Sequence, residues 1–324
     1  MIAHSFVVLP KESADTFLQK GILIMITRIS NSLLRLNKVE HGIIDFVNTP
    51  TSRDEQLFID PVLIEIGTSP FCEKAKCKIK DFFSQLCDAY YVTNDETRKK
   101  HLLKHAREIN DTHLGYAVKY GKGNTEEGLY EIFKGIDQYI HSLKISRLFE
   151  LTLYIPGFAE DGMSDLLTNI LYKELSDFTV QQCKKYDIKT MKCPHERYYW
   201  DGDTHMWKQY VGESLVINGS IHLLVPKEIV QTHYRFTTDN FLRSVIIENI
   251  CKDEASYDKN GKEIRPPKMK VREKLLRQYG TVFNAVQKLT QDNGEMLKQY
   301  HRIIDKKYST LVLTDEELDR LIYE

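Results

Sequence analysis

Hydrophobic and polar positions recur with the 3.6-residue period of an α-helix over several long stretches of the chain. These stretches predict five helices, at about residues 13–36, 73–91, 94–109, 124–143 and 159–186. Asn94 is the expected N-cap of the third helix. Ser164 is the expected N-cap in the fifth helix, just before its apolar stripe. From about Thr238 the pattern turns helical again for most of the remaining chain.

Shorter apolar runs predict a small sheet and two β-hairpins. "GIIDFV" and "LFID" are β-type runs on either side of a turn-rich segment, and a further strand is expected at about Leu148 to Ile155. The Asp-Gly pair in "RYYWDGDTHMWKQY" and the Asn-Gly pair in "SLVINGSIHLLVP" are flanked by strand-type residues, which is typical of tight hairpins. The fold class is therefore predicted as α+β, mostly helical with a small sheet and two β-hairpins, and with a helical C-terminal appendage.

A change of composition near residue 250 suggests how the chain is divided. The segment "DEASYDKNGKEIRPP" is polar and rich in turn-forming residues, so it is interpreted as a linker. The prediction is a main α+β domain over 1–250, a polar linker over 251–266 and a helical segment over 267–324.

Composition and charge exclude several classes of protein. Of 324 residues, 42% are hydrophobic and 28% are charged, and the net charge is −1, so no global field favours nucleic acid. Six cysteines in a chain of this length predict reduced thiols and a cytoplasmic location. No run reaches the roughly eighteen apolar residues of a membrane span. Met25 would also make a plausible start of the chain.

A glycine-rich loop, "HAREINDTHLGYAVKYGKGN", separates two predicted helices. Its backbone amides, with Lys119, Lys122 and a following helix N-terminus, would hold a phosphate group. The glycines do not have the spacing of a P-loop or of a dinucleotide-binding turn. The alternative interpretation is a loop that only turns the chain.

Three aspartates at the ends of predicted elements are candidate metal ligands. Asp60 ends the run "LFID", and Asp161 and Asp165 lie at the start of the fifth helix, with Asn169 on the same face as Asp165. Oxygen ligands of this kind suit Mg²⁺ or Mn²⁺, which would activate water or stabilise a phosphoryl charge. The alternative is that these acids cap a turn and favour the helix dipole.

Two residues that flank the loop are candidates for catalysis. Glu108 and His113 would serve as a general base or as further metal ligands. The spacing between these two residues and the three aspartates is not typical of any particular metal site. The five residues form one site only if the fold brings them together, and we predict that it does.

A second constellation overlaps the third predicted helix. Arg98 and His105, in "RKKHLLKH", resemble the Arg-x(4–6)-His motif of HEPN ribonucleases, which act on RNA without a metal. Seven residues are close to two helical turns, so the two side chains would share a face. The alternative is a solvated basic helix.

A zinc site is a weaker reading of "CPHERYYWDGDTHMW". Cys193, His195, Asp201, Asp203 and His205 are potential ligands, but the paired spacing of structural zinc sites is absent. The aromatic residues of this segment are better explained as cross-strand pairs.

The clearest basic segment follows the predicted linker. Its candidate phosphate-binding residues are Lys268, Lys270, Arg272, Lys274 and Arg277. Contacts with a nucleic-acid backbone would give salt-dependent affinity, and the alternative is a solvated helix face.

Several segments are distinctive when they are taken together: "LFIDPVLI", "NDTHLGYAVKYGKGN", "DGMSDLLTNIL" with "DFTVQQC", and "INGSIHLLVPKEIV". In these segments the chain resembles an uncharacterised family of bacterial proteins associated with anti-phage defence loci, and the resemblance covers about residues 40 to 235. It implies a bacterial, cytosolic setting and favours chemistry on nucleic acid, but it transfers no catalytic residue.

These observations lead to three hypotheses of function. The first is a metal-dependent nuclease or phosphodiesterase that serves in anti-phage defence. The second is a non-catalytic subunit or sensor that binds nucleic acid, a partner protein or a second copy of the chain. The third is a metal-independent HEPN-like ribonuclease, whose activity would survive EDTA.

Overall fold

The computed structural model describes residues 39–50, 53–107, 109–116, 126–134, 143, 145–291, 293–308 and 312–324. It confirms the predicted α+β class, because helices predominate and the strands are short and antiparallel. The helix expected at 13–36 lies outside the described residues.

Six α-helices are described up to residue 185. They are α1 Pro61–Ile66, α2 Pro70–Cys87, α3 Glu96–Leu103, α4 Glu126–Lys134, α5 Glu160–Ile170 and α6 Tyr172–Lys185. A π-helical turn, Asp88–Val92, extends α2. Both α1 and α2 begin with proline after a capping side chain: Asp60 accepts from Val62 N–H at 2.8 Å, and Ser69 accepts from Cys72 N–H at 3.1 Å.

The helices predicted after residue 238 are confirmed. They are α7 Thr238–Phe241, α8 Ile247–Asp253, α9 Lys268–Tyr279, α10 Val282–Thr290, α11 Gly294–Tyr308 and α12 Asp315–Tyr323. A π-helical turn, Leu242–Ile246, joins α7 to α8.

The C-terminal helices contact the rest of the molecule directly. Tyr300 of α11 stacks on Phe241 of α7, with ring centroids 4.8 Å apart, and Tyr323 of α12 donates to the carbonyl of Val39 at 2.8 Å. Apolar residues of α9 to α12 belong to the same hydrophobic core as those of α1 to α5. The division into a domain, a linker and a helical segment stays a prediction.

Helix α3 begins and ends differently from the prediction. Asp95, not Asn94, is its N-cap, and Asp95 accepts from the N–H groups of Thr97 and Arg98 at 2.9 and 3.0 Å. Asn94 has a φ of +48° just before the helix. The helix ends at Leu103, six residues before the expected end, so His105 lies outside it.

The helix predicted over 159–186 is two helices that meet at Leu171. Ser164 is not an N-cap, because α5 already begins at Glu160. The hydroxyl of Ser164 instead accepts from Ile59 N–H at 3.1 Å, which fixes the neighbouring strand against the helix.

The strand predicted at Leu148 to Ile155 is wrong, because Leu148–Leu153 forms a 3₁₀ helix. The buried carboxylate of Glu150 accepts from Arg147 N–H at 3.1 Å and pairs with His301 at 2.6 Å. Glu150 therefore stabilises the first turn of the 3₁₀ helix. The β-type residues of this segment gave no indication of these contacts.

The described strands form five two-stranded antiparallel pairs. The strands are β1 Phe58–Ile59, β2 Met191–Lys192, β3 Tyr198–Asp201, β4 Met206–Gln209, β5 Glu213–Ser214, β6 Val216–Ile217, β7 Ser220–Ile221, β8 Val230–Gln231, β9 Ser256–Tyr257 and β10 Glu263–Ile264. Both predicted hairpins are confirmed as β3–β4 and β6–β7, and Trp200 faces Trp207 across the first. The pair β9–β10 lies within the predicted linker, and β1 pairs with β8.

Packing in the core places the loop at residues 109–116 close to strand β1 and helix α5. Strand β1 packs on α5, and residues 109–116 lie against the segment before β1. Within the described residues, no helix is long and apolar enough to cross a membrane.

Candidate functional site

The loop at residues 109–116 is fixed by a buried carboxylate. Asp111 accepts from Arg197 Nε at 2.7 Å and from Arg197 Nη2 at 2.8 Å, and it also accepts from the Tyr172 hydroxyl at 3.0 Å. The hydrogen bonds with Asp111 raise the pKa of Arg197 above its ordinary value. This two-bonded pair anchors the loop to α6 and to the chain before β3.

A short parallel bridge brings the turn-rich segment before β1 alongside this loop. Glu55 N–H donates to the carbonyl of His113 at 2.9 Å, and Gly115 N–H donates to the carbonyl of Glu55 at 2.9 Å. Asp54 therefore lies beside His113, although 59 positions separate them in the sequence.

His113 combines a strained backbone with an unsatisfied side chain. Its φ is +54°, a conformation that a residue with a Cβ rarely adopts. Its Nδ1 lies 3.7 Å from Oδ1 of Asp54, which is too long for a hydrogen bond. Both atoms are buried, and neither has a hydrogen-bond partner among the described residues. Buried polar atoms without partners are rare and call for a functional or structural explanation.

A second histidine lies against the ring of His113. The two rings stack with centroids 4.7 Å apart and planes inclined at 24°, and Nε2 of His222 is 3.3 Å from the Thr49 hydroxyl. Burial, and next the charge of His113, lower the pKa of His222 to about 3. His222 is therefore neutral at ordinary pH, and its ring forms one side of the site.

The N-terminal end of α5 supplies two carboxylates on the other side of the loop. Glu160 accepts from the Tyr116 hydroxyl at 2.8 Å and from Tyr234 N–H at 3.1 Å. Burial raises the pKa of Asp161 above its ordinary value, and repulsion from Asp54 and Glu160 adds to this, although Tyr116 N–H opposes it. An ideal Cβ at Gly115, where φ is +141°, would lie 2.9 Å from Oδ1 of Asp161.

We call this group the His113 cluster: it consists of Asp54, His113, Glu160, Asp161 and His222. It contains His113 and Asp161 from the predicted site. Asp54, Glu160 and His222 were not predicted from the sequence. The signals it contains are the position of Asp54 in a turn-rich segment and of Glu160 beside Asp161.

The structure gives Asp60 and Asp165 roles outside this cluster. Asp60 is fully buried and caps α1. Asp165 lies in the second turn of α5, where its carbonyl accepts from Asn169 Nδ2 at 2.9 Å. The same amide donates to the carbonyl of Arg107 at 2.7 Å, so Asn169 connects α5 to the end of the chain segment that leads into the loop.

The predicted ligand set of Asp60, Asp161 and Asp165 is not assembled as one group. Within the described part of the chain, no three or more His, Cys, Asp or Glu side chains are arranged to hold a metal ion. Glu108, Lys119 and Lys122 lie outside the described residues.

Arg98 and His105 do not share a helix face. Arg98 donates to Gln85 Oε1 at 3.2 Å and to the carbonyl of His205 at 2.8 Å. His105 stacks on Tyr198 at 3.8 Å between centroids, and burial, with nearby positive charges, lowers its pKa to about 4. The early end of α3 removes the geometric basis of the HEPN-like hypothesis.

Three of the five potential zinc ligands, Cys193, Asp201 and His205, have contacts with different partners. Asp201 pairs with Lys208 and accepts from the Thr204 hydroxyl at 2.8 Å, and His205 lies 2.8 Å from Asp81. The thiol of Cys193 donates to the carbonyl of His195 at 3.2 Å.

The basic segment forms α9, where most of its charges meet acids of neighbouring helices. Lys268 pairs with Glu248, Arg272 with Asp239 at 2.7 Å, and Lys274 with Glu254 at 2.8 Å. Arg277 lies 3.9 Å from Glu273 of the same helix, and Lys270 is exposed. Charge pairing between α9 and the α7–α8 region therefore accounts for much of this pattern.

Comparison with known proteins assigns the chain to a family but not to an activity. A family model described as a domain of unknown function (DUF8370) matches residues 36–237, so the chain belongs to this family. No curated protein and no solved structure matches the chain. The matched range contains the whole His113 cluster, and the association with anti-phage defence stays a prediction.

Proposed function

We propose that this DUF8370 protein is a nuclease or related phosphodiesterase whose reaction centre is the His113 cluster. The observation that carries the proposal is the buried, unsatisfied pair of His113 Nδ1 and Asp54 Oδ1, 3.7 Å apart. A strained histidine beside a carboxylate is a common arrangement for acid–base catalysis, and such contacts often tighten only when substrate binds.

In the proposed reaction, His113 is the general base. Asp54 orients its ring through Nδ1, and this leaves Nε2 to take a proton from the attacking water. His222 cannot compete for that proton, because its pKa is about 3. The stacked pair thus contains one histidine that is the proposed base and one, His222, that stays neutral.

Asp161 is the proposed attachment point for Mg²⁺ or Mn²⁺. Repulsion from Asp54 and Glu160 contributes to its raised pKa, and a divalent cation would relieve that repulsion. Mg²⁺ is commonly held by one or two carboxylates together with water and substrate phosphates, so a preformed three-ligand group is not required. Lys119 and Lys122, three and six residues after Tyr116, would neutralise further phosphate charge.

The test is cleavage of labelled single- and double-stranded DNA and RNA by the full chain, with Mg²⁺, with Mn²⁺ and with EDTA. His113→Asn is the informative variant, since asparagine tolerates a positive φ but cannot act as the base. We expect the loss of about 10² to 10⁴ in rate that removal of a general base causes. His195→Asn, which changes an exposed histidine, is the matched control.

Four outcomes separate the hypotheses. Metal-dependent cleavage lost in His113→Asn but kept in His195→Asn supports the proposal. Cleavage that persists in EDTA rejects the cation at Asp161, and equal activity of His113→Asn and the wild type rejects the reaction centre. No cleavage of any substrate favours the alternative of a non-catalytic subunit that binds nucleic acid or a protein partner.

A further inference from the structure

A cavity of about 360 Å³ lies between α1, α2 and the 3₁₀ helix, and none of its residues belongs to the His113 cluster. This volume is at the lower end of the range of small-molecule sites in proteins. It suits a ligand of the size of one nucleotide and is too small for an oligonucleotide.

The interior surface of the cavity is apolar and partly aromatic. Ile64, Ile79, Phe83, Leu148 and Phe149 contribute to it, and all except Ile79 are buried. Flat aromatic and branched aliphatic surfaces are suited to the faces of a heterocyclic base, which contribute binding energy by stacking.

The rim of the cavity carries an excess of positive charge. Lys76, Lys80 and Arg147 line it, and Glu65 is the one acid among the described lining residues. Lys76 pairs with Glu73 of the same helix at 2.7 Å, so Lys80 and Arg147 are the cations on which the binding of an anion would depend. Arg147 lies 3.2 Å from Glu65, and its guanidinium carbon is 5.8 Å from the centroid of the Phe149 ring. The charged groups thus stand directly next to the aromatic surface.

We infer that this cavity binds a nucleoside monophosphate. Its three parts match the three parts of that ligand: the apolar walls face the base, the carboxylate of Glu65 accepts from a ribose hydroxyl, and the cations hold the phosphate. Lys80 and Arg147 lie on different elements, so a phosphate between them would connect α2 to the 3₁₀ helix.

The test is isothermal titration of the full chain with AMP, GMP, CMP and UMP, and separately with inorganic phosphate, adenosine and octyl phosphate. We expect at least one mononucleotide to bind about tenfold or more tightly than phosphate or adenosine. The variant Lys80→Ala/Arg147→Ala should weaken that nucleotide about tenfold or more. Ile79→Glu, which introduces a negative charge at a partly exposed wall position, should abolish binding.

The control is Lys74→Ala/Lys184→Ala, which removes the same charge from exposed positions that line other surfaces. It should bind like the wild type. The inference is overturned if no mononucleotide gives heat, if the control weakens binding as much as the cavity variant, or if phosphate alone binds equally well. Octyl phosphate that binds as tightly as the best nucleotide would reject the nucleotide in favour of an alkyl phosphate.

Discussion

At the scale of single residues, Gly115 shows how the candidate site depends on backbone conformation. Its φ of +141° is in a region that residues with a Cβ avoid, and the space a Cβ would need is occupied by the carboxylate of Asp161. Gly115 N–H also forms the bridge to Glu55 that brings Asp54 beside His113. One glycine thus controls the approach of both sides of the cluster.

We expect Gly115→Ala to lower the free energy of unfolding by about 3 kcal/mol, which combines backbone strain with displacement of Asp161. Gly157→Ala is the matched control. Its φ is +81°, but among the described residues no atom beyond its two chain neighbours lies within 4 Å of the added Cβ, so only the strain of about 1 kcal/mol should remain. Urea unfolding of both variants measures the difference, and equal losses would show that contact with Asp161 is unimportant.

His222 gives a prediction about acid stability. Its folded pKa of about 3 is below the ordinary value of about 6.5 in an unfolded chain, so unfolding takes up a proton between these limits. The stability that neutral His222 provides is complete above pH 6.5 and is lost as the pH falls towards 3. From pH 7.5 to 5.5 this one group should cost about 1.4 kcal/mol.

The measurement is urea unfolding of the wild type and His222→Gln at both pH values. The wild type should lose about 1.4 kcal/mol more than the variant over this interval. His195→Gln, at an exposed position, should follow the wild type. Parallel losses in the wild type and His222→Gln would contradict the buried neutral state.

At the scale of elements, local signals predicted what local contacts determine. Proline after a capping side chain begins α1 and α2, and Asp-Gly and Asn-Gly turns close the hairpins β3–β4 and β6–β7. The 3₁₀ helix could not be predicted, because Glu150 holds it with the help of His301, 151 positions away. The early end of α3 was not predicted, because the helical pattern of the sequence, which includes the seven-residue spacing of Arg98 and His105, extends beyond Leu103. The helix itself ends at Leu103.

The site was predictable to the same extent. His113 and Asp161 are in segments whose glycines and acids mark a loop and a helix start, so composition pointed to them. Asp54 and His222 could not be found, because a bridge between Glu55 and Leu114 and the packing of residue 222 against the loop bring them in. Asp60 caps α1, and a sequence does not distinguish a capping aspartate from a metal ligand, so the ligand roles of Asp60 and Asp165 stay predictions.

The anchor of the loop to its surroundings gives a prediction at this scale. Arg197→Ala removes both guanidinium donors from the buried carboxylate of Asp111 and leaves it the hydrogen bond from the Tyr172 hydroxyl. Breaking a buried pair in this way costs about 3 kcal/mol or more. We also expect any nucleic-acid cleavage to fall, because the loop carries His113.

Arg265→Ala is the matched control for this anchor. Arg265 makes the same two-bonded contact with Glu263, at 3.0 and 3.1 Å, but on the surface of β10. Its removal should leave the unfolding free energy close to that of the wild type, since exposed pairs contribute little. Similar losses in both variants would show that burial of Asp111 does not matter.

At the scale of the whole molecule, the net charge of −1 makes local patches decisive for contact with nucleic acid. The basic helix α9 is such a patch in the sequence, but in the structure it faces acids of α7, α8 and the chain after α8. A charge already paired within the protein releases fewer counterions when a phosphate approaches. The paired charges of α9 are therefore weaker candidates for phosphate contact than the sequence suggested, and contact through Lys119 and Lys122 stays a prediction.

The salt dependence of binding distinguishes the two patches. For duplex DNA, the slope of log K against log salt changes by about 0.9 for each phosphate contact. We expect Lys119→Ala/Lys122→Ala to reduce the slope by about 1.8 and Arg272→Ala/Lys274→Ala to leave it unchanged. Fluorescence anisotropy with His113→Asn as the common background would measure binding without cleavage. If the α9 variant instead lost about 1.8, its ion pairs must open when nucleic acid binds, and α9 would belong to the interface.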